Sequence, residues 1–541
     1  MSKVADYLRG HITGEVTTRK DIRDALSTDT GVLAVKPDIV VYPRTVNDIR
    51  KVTRFAWQLA EKGHVLPVTV RGAGSNSTGA SIGSGVSVVT TAHMNRIFEY
   101  DEKQRLVRLQ PGVTLTSLSQ ALSLHGTAVM PLAGSYGYGT VGGALAEGVS
   151  GLFVGKYGKL AASVDKLEVV LANGDLLQTG RISKRELSKK KGLQGLEGDI
   201  YRGIDAVLED YADTINSLQP DDNTGYSTIA NVRAKDGSID LTPLFLGSQG
   251  TLGVIAEMIM KSEHHSSHYS VASVVFSKDQ EARDVLDALC ALKPAFIEYI
   301  DARLFENASA KGKVYDFYQA AQKERKAKAV ILIGFDDFGV RNRAKHLKRV
   351  ERIVAKSAAS VMTATDEKAT DMLAALEVAH YTILPDKLDE AAPNIFGDFY
   401  MPAMHFDTFL KDLDKIAEKL HVELPICGHA YTGIYGVYPT LKLSKVSDKQ
   451  KIFKILDELA KAVLKHGGSM ASGGGEGRLK AQVIYSHLDE KTLEMFEAIK
   501  KVFDPHSTLN PGVKQSIELR KLATMLRGEH DAGQLARFGA R

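Results

Sequence analysis

Two glycine-rich stretches do most to limit what this chain can fold into. The first, Arg71-Gly72-Ala73-Gly74-Ser75-Asn76-Ser77-Thr78-Gly79, follows a strand-like run over 65–70. The second lies where nine of the 28 residues from 131 to 158 are glycine, well above the usual ~7%. Glycine runs let backbone N–H groups turn toward one point and let a ligand approach without side-chain obstruction, which suits a pyrophosphate. The alternative is that these glycines only make tight turns between short strands. A third turn at Gly247-Ser248-Gln249-Gly250-Thr251-Leu252-Gly253 weighs against that. Two familiar phosphate loops fail on context. A Walker loop needs Gly-Lys-Ser/Thr at its end, and this one ends Gly79-Ala80-Ser81. A dinucleotide fingerprint needs glycine where Ser77 stands and a helix straight after, whereas the pattern continues to a strand over 86–91.

The rest of the chain is read around these loops. Its 541 residues exceed what one core supports, so two or more domains are expected. A net charge of +4 implies no strong field for nucleic acid. Two separated cysteines, Cys290 and Cys427, exclude a disulfide framework or a cysteine-built cluster and fit a reducing compartment. The charged N-terminus is no secretory signal, and no run approaches ~20 apolar residues, so a cytoplasmic protein is expected.

Residues 1–32 read as an N-terminal arm or short helix. Residues 33–265 carry the glycine loops, a helix opening at Thr45 with Asp48 three residues on, and a hairpin at Asn173-Gly174 whose central residues both accept positive φ. Residues 266–470 alternate strands (269–276, 329–335) with charged helices, the texture of an α+β domain with an antiparallel sheet. A third glycine cluster, Ser472-Gly473-Gly474-Gly475-Glu476-Gly477-Arg478, opens a segment over 471–515. A basic tail over 516–541 is either a solvated helix or a peripheral contact for a membrane or partner.

The ordered blocks resemble the vanillyl-alcohol oxidase and p-cresol methylhydroxylase (PCMH) type of FAD-binding domain, nearest the D-lactate dehydrogenase and glycolate oxidase FAD-subunit branch. They are Val41-Tyr42-Pro43, Val70-Arg71-Gly72-Ala73-Gly74-Ser75, Leu109-Gln110-Pro111-Gly112-Val113, Thr140-Val141-Gly142-Gly143, the Gly247 to Gly253 turn, and Leu509-Asn510-Pro511-Gly512. The resemblance implies an α+β protein: an FAD-binding domain of two α/β subdomains, plus a cap with an antiparallel sheet. It implies that Arg71, Gly72, Ala73, Gly74, Ser75, Asn76 and Gly79 wrap the FAD pyrophosphate. Ser135, Thr140, Gly142 and Gly143 would run along pyrophosphate and flavin, Val254 and Ile255 would meet the adenine end, and Asn510 would complete the site. Relatives that tether flavin use a histidine in the first loop or a cysteine in the second. Neither loop has one, so FAD is expected to be non-covalent.

The branch's cap chemistry is depleted here. Its metal motif Gly-His-Ala-Gly-Asp-Gly-Asn-Leu-His meets Gly428-His429-Ala430-Tyr431-Thr432-Gly433-Ile434-Tyr435-Gly436, keeping only the first histidine. The companion Glu-His pair meets Gly473-Gly474, so no catalytic metal is expected. The carboxylate-binding arginine is replaced by His380 and a nearby lysine by Phe396, which makes a small 2-hydroxy acid bound in the usual way doubtful. His429, Tyr431 and Glu476 are the candidate catalytic residues. His429 is either a base or a hydrogen-bonded structural residue, and Glu476 either acts in catalysis or pairs with Arg478. His380, Tyr435 and Arg478 are candidates for substrate binding.

The expected reaction is hydride transfer from a CH–OH donor, a hydroxy acid or another alcohol such as a sugar or phenol, to flavin N5. An unidentified electron acceptor then reoxidises the flavin; the sequence leaves the oligomeric state open, with a homodimer as one option. The rival reading is a flavin-binding electron-transfer or assembly subunit with a degenerate substrate site; a nucleotide-binding scaffold without flavin stands further off.

Overall fold

The computed structural model describes residues 2–130, 138–219, 222–323, 325–357, 359–379, 390–391 and 395–527. Three strands, Ile39–Tyr42, Val86–Val89 and Val68–Arg71, form a parallel core with Val86–Val89 in the middle. Their near-complete burial follows from coverage on both faces, as parallel strands require. The helix Val46–Glu61 is the crossover between the outer two. It starts at a reciprocal cap between Thr45 and Asp48 and buries Ile49, Val52 and Ala56 on one side. The N-terminal arm contains the short helix its sequence allows and, beyond that, a strand. A helix, Ser2–His11, buries Ala5 and Leu8, and Glu15–Thr17 adds an antiparallel edge strand to Ile39–Tyr42.

A second, five-stranded antiparallel sheet runs Ile97–Asp101, Leu106–Leu109, Val254–Lys261, Val164–Val170, Leu176–Gln178. Its central strand, Val254–Lys261, arrives long after its neighbours in sequence and closes the domain. Helix Glu490–Phe503 returns from the far end of the chain to place Met495, Phe496, Ile499 and Phe503 in this core. The Asn173-Gly174 turn departs from expectation: only Gly174 has positive φ (+84°). Gly174 N donates to Leu171 O (2.9 Å) and Leu171 N to Asp175 O (2.8 Å), so the loop has three residues and ends on a left-handed glycine.

The cap holds a seven-stranded antiparallel sheet, Ala359–Thr365, Ser270–Phe276, Ala329–Phe335, Phe296–Asp301, Ile426–His429, Ile434–Val437, Phe396–Tyr400. Its central strands are buried throughout because helices cover both faces. Ala272, Val274, Phe276, Ile331 and Ile333 point to one helix layer, and Val271, Val275, Val330 and Leu332 to the other, the period-2 alternation of a strand. The basic tail does not begin as a free helix. Leu522 is buried, and Met525 O and Val32 O bond Ala34 N and Arg527 N, which docks the tail on the arm.

Candidate functional site

A cleft lies where the two glycine loops, the third turn and the cap meet. Residues Gly72, Ala73, Gly74, Ser75, Asn76 and Ser77, leaving the C-terminal end of strand Val68–Arg71, form one wall. The start of helix Val141–Glu147 forms the facing wall. Thr140 caps it by accepting from Gly143 N (3.2 Å), and Gly143 stands exposed at the mouth. Ser248, Gln249, Gly250, Val254 and Ile255 close a third side, and Asp398, Gly473 and Gly474 come from the cap and the C-terminal segment.

The glycines are needed for close approach. A Cβ on Gly72 would stand 2.2 Å from Thr140 Oγ1, and one on Gly142 2.4 Å from Pro111 Cβ, so neither position has room for a side chain. Gly250, at φ +71°, faces open space. The first amides of helix Val141–Glu147 are already bonded, Val141 N to Val113 O (2.8 Å), Gly142 N to Pro111 O (3.0 Å) and Gly143 N to Thr140 Oγ1 (3.2 Å), so the helix lends the cleft its positive end rather than free donors. The buried hydroxyl of Ser81, which lines the same cleft, has no hydrogen-bond partner. Backbone amides, a positive helix end and an unsatisfied hydroxyl fit a diphosphate-bearing dinucleotide such as FAD.

The cofactor residues expected from sequence divide into liners and braces. Gly72, Ala73, Gly74, Ser75, Asn76, Thr140, Gly142, Gly143, Val254 and Ile255 line the cleft. Arg71 does not: its guanidinium is buried beneath the loop, where a Cβ on Gly74 would meet it at 2.2 Å, in the field of Asp29. Gly79 is also behind the wall, its N–H donating to Asp29 Oδ2 (2.8 Å). Asn510 is a clip rather than a lining residue. Its Nδ2 donates to Ala80 O and Gln249 O (2.8 Å each), and its Oδ1 accepts from Thr69 Oγ1 and Arg478 Nη2. Ser135 lies outside the described residues.

Three candidates for chemistry are corrected by their surroundings. Glu476 pairs with Lys514 (2.8 Å) at zero exposure, not with Arg478, and also accepts from Gly225 N and Tyr485 Oη. Arg478 is buried and spent on the carbonyls of Gly79, Ile82 and Pro511, so it cannot reach a substrate. Tyr435 is stacked on Phe406 (4.4 Å) in the cap core, alongside the equally buried Phe396, and turned away from the cleft. Tyr431 packs on the FAD-side helix Val154–Tyr157, where a Cβ on Gly155 would meet its ring at 2.0 Å. His380 lies outside the described residues.

His429 ends strand Ile426–His429, and its Nδ1 bonds Glu298 Oε1 (2.5 Å) across the adjacent strand. Burial would lower its pKa, but the charges of Glu298 and Asp398 prevail and raise it. His429 keeps a quarter of its side chain exposed and is not among the described residues lining the cleft. Among the described residues no three His, Cys, Asp or Glu side chains gather into a metal cage.

Sequence reasoning missed the acids. Glu147, at the end of helix Val141–Glu147, and Asp398 both line the cleft. Protein surrounding Glu147 pushes its carboxyl up to about 8; Gln249 Nε2 donates to it (3.1 Å) and opposes the rise, while Asp398 adds to it. Asp398 sits at φ +64° where the pairing of Phe396–Tyr400 slips register. An aspartate inside a strand was the available signal, since strands disfavour it except at such breaks.

Two family models match the chain: an FAD binding domain over residues 37–180 and the C-terminal domain of FAD linked oxidases over residues 266–513. The chain is 25% identical over 515 residues to D-2-hydroxyglutarate dehydrogenase of Pseudomonas putida, covering 93% of this chain and 50% of that protein. It therefore spans about half the length of that relative. It is 27% identical over 490 residues to glycolate oxidase subunit GlcD of Bacillus subtilis, with 90% of each chain covered. Among solved structures, p-cresol methylhydroxylase with substrate bound superposes at a TM-score of 0.68 with 14% identity, over 95% of this chain and 96% of that one. The 4-ethylphenol oxidase of Gulosibacter chungangensis gives 0.66 with 15% identity, over 96% and 98%. At such identities these two likenesses speak for the fold. The cleft, the two matched domains and the shared fold agree: the chain belongs to the FAD-linked oxidoreductases built on a PCMH-type FAD-binding domain.

Proposed function

We propose that this protein is an FAD-dependent oxidase or dehydrogenase that oxidises a CH–OH group, with FAD bound non-covalently. The observation that carries the reading is the cleft itself, which joins two glycine loops and a helix N-terminus to polar groups delivered by the cap. Bound FAD supplies the two-electron acceptor for the donor's C–H hydride. Backbone amides of 72–76 would hold the diphosphate beside the positive end of the Thr140-capped helix; Val254 and Ile255 offer an apolar wall to the adenine end. No cysteine or histidine is among the described lining residues, which supports a cofactor held without a covalent bond.

We assign His429 as the acceptor of the proton released from the donor hydroxyl because Glu298, hydrogen-bonded to its Nδ1, would stabilise the imidazolium, and because a quarter of its side chain is exposed even though it is not among the described lining residues. The names of the relatives point to D-2-hydroxyglutarate and glycolate as donors for those proteins; for this chain the donor class is a hydroxy acid or another alcohol. The test is anaerobic mixing of the FAD-loaded protein with a panel of alcohols and hydroxy acids. At least one member should bleach the flavin band, and His429→Gln should slow that bleaching by about 10²–10⁴-fold with FAD affinity unchanged. Bleaching by dithionite alone would replace this reading with that of an electron-transfer or assembly subunit. Release of yellow colour on acid precipitation checks the non-covalent link.

A further inference from the structure

The cap end of the cleft is acidic. Glu147 and Asp398 enter it from different domains and flank Gly474, where a Cβ would lie 3.2 Å from Glu147 Oε1 and 3.3 Å from Asp398 Oδ2. Neither is an incidental surface acid. Asp398 holds a left-handed backbone conformation, φ +64°, that few non-glycine residues adopt. The register slip around it turns the side chain to the cleft while its carbonyl accepts from Gly473 N (2.9 Å). The described residues give its carboxylate no hydrogen bond. Glu147 is anchored by Gln249 and, with its pKa raised to about 8, keeps its proton at neutral pH.

The nearby cations each have a hydrogen-bond partner of their own, although the charge of Lys480 still acts on both Glu147 and Asp398. Lys480 donates to Gly397 O (2.7 Å), Lys514 pairs with Glu476 (2.8 Å) and His429 with Glu298 (2.5 Å). The described residues lining the cleft include no lysine, arginine or histidine. The site thus offers one acidic O–H donor and one accepting carboxylate a short span apart. A hydroxyl, which both donates and accepts, satisfies the two together. A donor's carboxylate would meet Asp398 with no cationic side chain among the described residues lining the cleft, and juxtaposed like charges are disfavoured.

On the reading that this cleft oxidises CH–OH donors, we propose that Glu147 and Asp398 are its specificity determinants and select an uncharged, hydroxyl-bearing donor over a 2-hydroxy carboxylate. This departs from the donors named for the relatives, and it belongs to this chain's own side chains. Gly473 could carry no side chain here, since a Cβ would stand 2.9 Å from Asp398 Cβ, and a Cβ on Gly475 would stand 2.5 Å from Gln249 Cδ.

The test uses the FAD-loaded full-length protein at pH 7 with matched pairs, propane-1,2-diol against lactate and ethylene glycol against glycolate, under anaerobic conditions. Oxalate binding is followed separately by its perturbation of the oxidised flavin spectrum. The diols should bleach the flavin faster than their carboxylates, and oxalate should bind Asp398→Asn at least about 10-fold more tightly than the wild type. Glu147→Gln should slow bleaching by the diols. Asp398→Gly, which suits positive φ, repeats the comparison if the asparagine variant folds poorly. Faster bleaching by lactate or glycolate, or equal oxalate affinity in wild type and variants, would overturn the proposal. If no donor bleaches a flavin that dithionite reduces, the oxidation reading fails, and the oxalate comparison alone decides charge selection.

Discussion

Glu476 shows how far a residue's neighbours decide its role. Its sequence position beside a glycine cluster suggests chemistry, yet its carboxylate is fully enclosed with Lys514, Tyr485 and the Gly225 amide. Removing one partner of a buried pair leaves the other charged and unpaired, typically at about 3–5 kcal/mol. Glu476→Ala should therefore lower the denaturation midpoint sharply, and a variant with normal stability but no turnover would restore Glu476 to the catalytic candidates. Asp29 carries a pH signature. Burial raises its pKa to about 6, against the opposing N–H donors of Gly31 and Gly79 and the charges of Arg527 and Arg71. A carboxyl with a higher pKa folded than unfolded binds its proton more tightly when folded, so stability falls as pH rises from about 4 to about 6 and is level above. The loss is on the order of 2–3 kcal/mol, and Asp29→Asn should flatten it in denaturant melts across that window.

At the scale of elements, helix Val141–Glu147 does the most for the site with the fewest residues. Thr140 caps it, Gly142 and Gly143 open its face, and Glu147 reaches the cleft from its last turn. Thr140→Ala should cost about 1 kcal/mol of stability and weaken FAD binding together, because one change removes the cap and disturbs the cradle. Stability lost with FAD affinity intact would separate the cap from the cofactor site. Elements built on local rules were legible in sequence. The Thr45/Asp48 box and the strand Ala329–Phe335 stand where propensity and capping put them. The slip at Asp398 was not legible, since it is set by pairing with Ile434–Val437, a strand some 35 residues on in the chain. The three-residue loop ending at Gly174 likewise depends on the register of its flanking strands.

For the whole molecule, the glycine loops mark a cofactor cleft in the sequence itself, because close backbone approach leaves a trace in composition. The braces leave no such trace. Asn510 and Arg478 tie the closing segment to the first loop across roughly 400 residues of sequence, and nothing local distinguishes a brace from a ligand contact. The same long closure brings Gly473 and Gly474 between Glu147 and Asp398, so the acidic end of the cleft exists only in three dimensions. Among the described residues no helix is long and apolar enough to cross a membrane. The decisive measurement is a titration of the purified, flavin-stripped protein with FAD, followed by flavin absorbance and fluorescence. Saturable uptake giving a yellow protein, abolished by Gly72→Val, is the expected result. A protein that stays colourless with excess FAD, or a Gly72→Val variant that binds it as well as the wild type, would contradict a cofactor held between the glycine loops.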